Sequence, residues 1–283
     1  MKALCVVILA LALSQLSQAK PHVGVRARSF GGADRALASS NDTIFYNPAG
    51  IIKKRRFSTE VDYLWEAKDK AHRAGASLVD SQTGPWGLGL AYSGHFVVDK
   101  KIPNSHLLYL SAAMPLGTDI FAIGMSFHYK HDRGLGPEPY ANFFNLDAGI
   151  LINLPVGLSI GAVVDNLIKP KGREKDLGFA LAAAFDLGVL LPVLPLAMSF
   201  DWLMDDVKNA RDLHHVIMAG MQYTIVGIVP LRLGYHGDLS ARQKLISIGA
   251  GIKSGFFGVD ALYQQNLKLG EDRYLGLAFS FSF

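Results

Sequence analysis

Residues 121–130 read FAIGMSFHYK. Every second residue from Phe121 to Tyr129 is large and apolar, and the residues between them, from Ala122 to Lys130, are small or polar. Side chains of a β-strand alternate between its two faces, so this pattern predicts a strand with one apolar and one polar face.

The same alternation recurs along most of the chain and predicts fourteen strands. Most of them reach the roughly 9–11 residues that a tilted strand needs to cross a bilayer. The predicted strands cover residues 57–65, 72–79, 86–94, 105–114, 119–130, 143–154, 158–165, 177–187, 194–203, 213–223, 229–236, 244–252, 255–264 and 273–283.

The composition of the polar face separates two kinds of sheet protein. This face is rich in Gly, Ala and Ser with scattered Asp, His and Arg, whereas the exposed face of a soluble sheet carries more Lys, Glu and Thr. In an outer-membrane barrel the apolar face meets lipid, aromatic girdles mark both interfaces, and closure pairs every backbone group. The pattern therefore predicts an all-β, antiparallel transmembrane barrel of about fourteen strands.

The connections between the predicted strands support this fold. Alternate connections are short, such as Pro115–Thr118 and Leu154–Gly157, and the others are longer or more charged, such as His131–Ala141. Short periplasmic turns and longer outside loops are typical of such barrels. An even strand count places both chain ends in the periplasm.

Composition excludes several other classes. The chain has 283 residues, 50% of them hydrophobic and only 18% charged, which argues against disorder and a coiled coil. Its net charge of +4 and the lack of a basic aromatic array argue against nucleic-acid binding. No cofactor or metal site is indicated, and the single cysteine, Cys5, lies within a predicted signal peptide.

Residues 1–19 have the features of that signal peptide. A positive start at Met1-Lys2 precedes the apolar run Ala3–Leu13 and the small-x-small site Ser17–Ala19. Residues 20–56 would then form a separate N-terminal segment, and residues 57–283 the barrel. We expect an exported monomer in the bacterial outer membrane.

The chain ends on a regular alternation with a terminal aromatic residue. It resembles the C-terminal signal that the outer-membrane barrel assembly machinery recognises, which implies that machinery as a partner. The residues that carry the resemblance are Tyr274, Gly276, Phe279, Phe281 and Phe283.

The N-terminal segment breaks the alternation. It contains Gly31-Gly32-Ala33 and then residues 45–51, FYNPAGI, with turn-forming Asn-Pro and Ala-Gly. This region resembles the opening of the FadL/PorV-type outer-membrane barrels. The resemblance implies a hatch inside the lumen, kinked at Asn47, Pro48, Ala49 and Gly50, although the motif could simply turn the chain into the first strand.

The same resemblance implies two alternative functions. The first is passive uptake of a small, fatty-acid-like hydrophobic molecule through the outer-membrane lipid. The second is a PorV-like, non-transporting anchor for an envelope or secretion partner protein. The outside loops are short and charged, whereas fatty-acid transporters build an apolar capture groove from long loops, so fatty-acid specificity stays open.

Charged residues on the predicted inner face should line the lumen, where both signs could pair with each other or with the hatch. Neutralising Asp62 or Arg232 should then loosen the hatch. The set is Glu60, Asp62, Arg73, His128, Lys130, Asp147, Asp165, Asp186, Asp201, Arg232, His236 and Asp260.

Two other clusters need an interpretation. The basic run Lys53–Arg56 is best read as a solvated or lipid-headgroup cluster at the start of the first strand. Asp205-Asp206 with His214-His215 could suggest a rim-site enzyme, but adjacent strand residues face opposite ways and no nucleophile is identifiable. We therefore expect no enzymatic activity.

Overall fold

Strand pairing closes the chain into one barrel. The computed structural model describes residues 24–38, 40–98, 104–133, 140–168, 177–205, 213–240, 243–268, 270 and 272–283, so the predicted signal peptide lies outside the described residues. Each of fourteen strands pairs antiparallel with its sequence neighbours, and the last pairs with the first, from Ser58 opposite Ser282 to Glu66 opposite Tyr274. The predicted fold class is confirmed.

The strand bounds lie close to those predicted from alternation. They are β1 Phe57–Glu66, β2 Ala71–Asp80, β3 Gly87–Val97, β4 Ser105–Leu116, β5 Thr118–Arg133, β6 Tyr140–Asn153, β7 Leu158–Asp165, β8 Gly178–Asp186, β9 Leu196–Asp205, β10 His214–Ile225, β11 Val229–Asp238, β12 Gln243–Ser254, β13 Phe257–Asn266 and β14 Arg273–Ser282. The largest shifts are three residues each: β3 and β5 extend beyond their predicted ends at residues 94 and 130, and β6 begins before its predicted start at residue 143.

The two faces of the wall differ as the alternation predicts. In β4, Leu107 and Tyr109 are buried whereas Leu108 and Leu110 are exposed, and the same alternation runs through most strands. In β14, Gly276 and Ala278 face inward while Leu277 and Phe279 are exposed. A continuous exposed apolar surface of this kind requires lipid around it.

Aromatic and histidine side chains mark both ends of the apolar surface. We call the end carrying Phe57 and the C-terminus the inner end, and the opposite end the outer end. Near the outer end the Tyr92 hydroxyl and His106 Nδ1 are hydrogen-bonded at 2.7 Å, and Trp202 stacks on His215 at 5.9 Å between ring centroids. Near the inner end Phe257 packs against Phe281 at 5.4 Å. These rings form the interfacial girdles expected of a membrane barrel.

One inner-end connection departs from the sequence prediction. The chain between β8 and β9 contains a short helix and is longer than the predicted turn. The Asp186 carboxylate accepts a hydrogen bond from Gly188 N at 3.0 Å and so caps this helix. Asp186 is exposed at the rim, and the prediction that it lines the lumen is not met, because it ends the strand and its carboxylate serves the cap.

Within the described ranges, four short helical elements accompany the strands. They are α1 Val25–Ser29, α2 Thr43–Tyr46, the 3-10 helix η1 Pro48–Ile52 and α3 Leu187–Leu190. In the part of the chain that the structure describes, no helix has the length and apolarity needed to cross a membrane.

Candidate functional site

Residues 24–38 and 40–56 lie inside the barrel or at its mouth, and we call the stretch 24–56 the luminal segment. Its apolar side chains Phe30, Ile44 and Ile51 are fully buried. Helix α1 contacts β11 to β14 and β1, while η1 contacts β3 to β6. The described part of the segment therefore touches opposite sides of the wall and fills the space between them.

Glycines on the inner face allow this segment to lie directly on the wall backbone. A Cβ atom at Gly149 would lie 2.1 Å from Asn47 Oδ1, and one at Gly124 would lie 2.4 Å from Ala49 N. A Cβ atom at Gly234 would lie 2.1 Å from Gly31 N. Such distances leave no room for any other residue type. The glycine content of the inner face thus follows from the segment that it contacts.

Asn47 joins the luminal segment to the wall. Its side-chain Oδ1 accepts a hydrogen bond from Ala49 N at 3.1 Å and begins η1, with Pro48 at the first helical position. Its Nδ2 donates to Arg35 O at 2.9 Å and to Ile150 O of β6 at 3.1 Å. The motif therefore turns the chain and also fastens it to the lumen, so the two readings of Asn47–Gly50 are not exclusive.

Replacing Asn47 with Ala should destabilise the luminal segment. The carbonyls of Arg35 and Ile150 would lose a buried donor, at a cost of about 1–3 kcal/mol. We expect a lower thermal midpoint and faster proteolysis within residues 24–56. Asn142→Ala, which alters an exposed amide at the outer end, should leave both readouts unchanged. Equal proteolysis of wild type and Asn47→Ala would contradict this role.

Arg35 provides the strongest electrostatic tether. Its Nη1 lies 3.3 Å from Asp201 Oδ2 on β9, its backbone N–H donates to the same oxygen at 3.1 Å, and Nη2 lies 4.0 Å from Asp165 Oδ2 on β7. Burial alone would lower the pKa of Arg35, but the carboxylates of Asp201 and Asp165 raise it above its ordinary value. The guanidinium therefore stays charged and links two wall strands through the segment.

Further polar contacts hold the segment along its length. Lys53 Nζ donates at 2.9 Å to Ala36 O, to Leu37 O and to Ser159 Oγ of β7. Near the opposite wall, Arg28 Nη1 donates to Gln264 Oε1 at 3.3 Å, and its guanidinium lies 4.6 Å from the Tyr274 ring centre. These contacts are directional, so the segment has one defined seat in the lumen.

The predicted lumen charges other than Asp186 and Lys130 divide by burial. Asp62 is partly buried, and the rest are buried, namely Glu60, Arg73, His128, Asp147, Asp165, Asp201, Arg232, His236 and Asp260. Several of them pair within the wall itself: His128 Nδ1 lies 3.2 Å from Asp147 Oδ2, and Arg73 Nη2 lies 3.2 Å from Glu66 Oε1. Lys130 is half-buried beside Asp132, with Nζ and Oδ2 2.7 Å apart.

Arg232 is one of the predicted lumen charges that pair with each other. It pairs with Asp260 of β13 and with Gln222 of β10, so it bridges wall strands and is not a direct tether of the segment. Neutralising it should weaken the wall more than the seat of the segment. Sequence reasoning also missed Glu66 and the arginines Arg28 and Arg35. One signal in the sequence could have identified the two arginines. The predicted inner face carries more carboxylates than cations, so the N-terminal segment had to supply positive charge beside them.

The remaining predicted residues also have defined positions. Tyr274 and Gly276 of the C-terminal signal face the lumen, whereas Phe279, Phe281 and Phe283 are exposed to the outside. His214 pairs in register with Asp205, while His215 faces Trp202. Asp206 lies outside the described residues. Among the described residues, no group of three or more His, Cys, Asp or Glu could hold a metal ion.

The closed barrel that encloses this segment is similar in fold to several solved channel and transporter structures. The fold is similar to that of the CymD monoaromatic hydrocarbon channel, with a TM-score of 0.64, 13% identity and coverage of 92% of this chain and 96% of that one. It is also similar to the toluene transporter TbuX of Ralstonia pickettii, with a TM-score of 0.63, 13% identity and coverage of 93% and 98%.

A FadL homologue of Pseudomonas aeruginosa is similar over 93% of this chain and 97% of that one, with a TM-score of 0.60 and 11% identity. No protein-family model and no curated protein matches the chain. At these identities the similarity is one of fold.

Proposed function

We propose that the protein is a monomeric outer-membrane channel for passive entry of a small hydrophobic molecule, with the luminal segment as its hatch. The observation that carries the proposal is the position of this segment in the lumen and its polar contacts with the wall. It fills the lumen, and its contacts with the wall include separate hydrogen bonds and ion pairs that can break and re-form. The channel performs no chemical step.

The inner surface offers an apolar contact for such a molecule. Phe45 of the luminal segment packs edge-on against Tyr109 of β4 at 4.9 Å between ring centroids, and Tyr46 and Leu107 belong to the same buried cluster. Apolar and aromatic walls with a few fixed polar groups are typical of small-molecule sites. The neighbours that are described as hydrocarbon channels or toluene transporters make a compact hydrocarbon a reasonable cargo class.

The outer connections favour a compact cargo over a long acyl chain. Only residues 67–70 separate β1 from β2 and only residues 239–242 separate β11 from β12, and the longest outer connection covers residues 166–177. Loops of this length provide little surface for an extended capture groove.

The test begins with mass spectrometry of small molecules that remain bound after purification in a mild detergent. We expect a defined hydrophobic compound, retained by wild type and lost from Asn47→Ala. Uptake of a labelled aromatic hydrocarbon should also rise in Gram-negative cells that express the protein. An empty barrel together with uptake equal to that of cells without the protein would refute the proposal.

One observation favours the alternative role as an anchor for an envelope protein. The inner-end turns carry exposed apolar side chains, with Val193 90% and Val226 85% accessible to solvent. Apolar groups on a rim can serve a protein interface. For this role we expect a stoichiometric partner that is lost in a Val193→Glu, Val226→Glu variant whose barrel remains folded.

A further inference from the structure

A cavity of about 400 Å³ opens at the inner end of the barrel. It lies between the luminal segment, the β12–β13 hairpin, the start of β1 and the end of β14. Its position at the periplasmic mouth separates it from the aromatic cluster around Phe45 and Tyr109. Neither the hatch nor the proposed uptake accounts for its composition.

The lining of this cavity is strongly basic. It includes Arg26, Lys54, Arg55, Arg56 and Lys253 against a single carboxylate, Glu60. Most of this charge comes from the run Lys53–Arg56, which the sequence suggested would be a solvated or headgroup-level cluster. In the structure Lys54 and Arg55 are exposed, and the run folds around the mouth of the lumen so that Lys54, Arg55 and Arg56 line the cavity.

Two of these cations already have partners. The Arg55 guanidinium donates to Ser81 O at 2.9 Å and to Gly84 O at 2.8 Å, and Arg56 donates to Ser40 O at 3.0 Å and to Ser58 Oγ at 3.1 Å. These bonds fix the walls of the cavity. In these bonds the two guanidinium groups donate to uncharged carbonyl and hydroxyl oxygens, so their positive charges are not neutralised.

The other cations lack such partners. Among the described residues, neither the Lys54 nor the Lys253 ammonium donates a hydrogen bond. Arg26 is only 8% exposed, and its buried Nε has no hydrogen-bond partner in the described part of the chain. A buried donor left unpaired is costly, which indicates that a missing acceptor belongs beside it.

The electrostatics of the segment agree with an excess of positive charge. The pKa of Lys54 is lowered by burial and then by the neighbouring cations Arg26 and Arg56. Burial and Arg26 likewise lower the pKa of Arg56, although Glu60 acts in the opposite direction. Asp260 faces Arg26 and Lys253, but its carboxylate is engaged by Arg232.

We propose that this basic cavity binds one oxyanion group, a carboxylate or a phosphate, between Arg26, Lys54 and Lys253 at the periplasmic mouth. Such a group would supply the acceptors that the three cations lack, and charge-assisted bonds of this kind are about twice as strong as neutral ones. The oxyanion could be free in the periplasm or be the head of an amphiphile. The proposal rests on the fold and is independent of hydrocarbon uptake.

The experiment is calorimetric titration of the full-length protein in a maltoside detergent and a phosphate-free buffer. The probes are inorganic phosphate, decanoate below its micelle concentration, and uncharged decanol. The test variant is Lys54→Gln with Lys253→Gln. The matched control is Lys244→Gln, which removes an exposed charge at the outer end of the same strand as Lys253.

We expect at least one of the two anions to bind, decanol not to compete, and the dissociation constant to rise at least tenfold in the double variant only. Binding of phosphate and decanoate would identify a free oxyanion as sufficient, and binding of decanoate alone would identify an amphiphile; both results support the cavity. Absence of anion binding to wild type overturns the proposal, as does equal binding by the folded double variant. If that variant does not fold, Lys253→Gln alone is titrated against the same criteria.

Discussion

A disulfide between positions 44 and 89 should stop the entry of hydrophobic molecules when it is oxidised and restore entry when it is reduced. A Cβ atom at Gly89 of β3 would lie 2.8 Å from Ile44 Cγ1, the atom that a cysteine sulphur replaces. In a disulfide the Cβ atom of one cysteine lies about 3 Å from the sulphur of the other, so this separation suits the bond. The bond would fasten α2 of the luminal segment to the wall.

The expected effect is at least a tenfold fall in uptake of a labelled aromatic hydrocarbon by cells that express the oxidised Ile44→Cys, Gly89→Cys variant. The only native cysteine, Cys5, lies in the predicted signal peptide, so the mature variant would contain one pair of thiols. The two single-cysteine variants, treated with the same oxidant, control for local damage. Equal uptake by the oxidised and reduced double variant, with the bond verified by mass, would show that α2 does not move during entry.

The second large effect should follow from Arg35→Met. This change leaves the buried carboxylates of Asp201 and Asp165 without the guanidinium that lies beside both. Breaking a buried ion pair in this way typically costs about 3–5 kcal/mol. We expect the luminal segment to leave its seat, which should appear as a raised ion conductance in planar bilayers and as rapid proteolysis within residues 24–56.

Two variants make this result specific to the buried pair. Arg273→Met removes an exposed arginine of β14 and should conduct like wild type. Combining Arg35→Met with Asp165→Asn and Asp201→Asn removes the unpaired charges. This triple variant should recover a large part of the low ion conductance and protease resistance of wild type. The Arg35→Met protein could instead have the same ion conductance and protease resistance as wild type. In that case the aromatic and backbone contacts hold the segment without this ion pair.

The barrel wall was predictable because the alternation of residue types reflects both the lipid on its outer face and the lumen on its inner face. In residues 121–130, for example, one face must suit lipid and the other a crowded lumen, and a period of two serves both. The predicted alternation of the two faces therefore holds in β5, although β5 and β6 both extend beyond their predicted ends.

The seat of the luminal segment was not predictable from local patterns. Arg35 and its partner Asp201 are 166 residues apart in sequence, and only the closed barrel brings them together. The α3 connection was missed for a different reason. Residues 187–195 are almost all apolar, so the prediction gave residues 187, 194 and 195 to the flanking strands and left only 188–193 between them. The signals for a longer connection were Pro192 and Pro195, which cannot donate to a ladder.

The glycines at positions 124, 149 and 234 have a consequence for the proposed movement of the luminal segment. If the luminal segment moved away from these glycines, it would expose peptide backbone that is already hydrogen-bonded within the sheet. Little apolar surface would be exposed to water at these positions. Return of the segment is favoured by the polar contacts and by renewed burial of Phe30, Ile44 and Ile51. Such a segment can return to a single position.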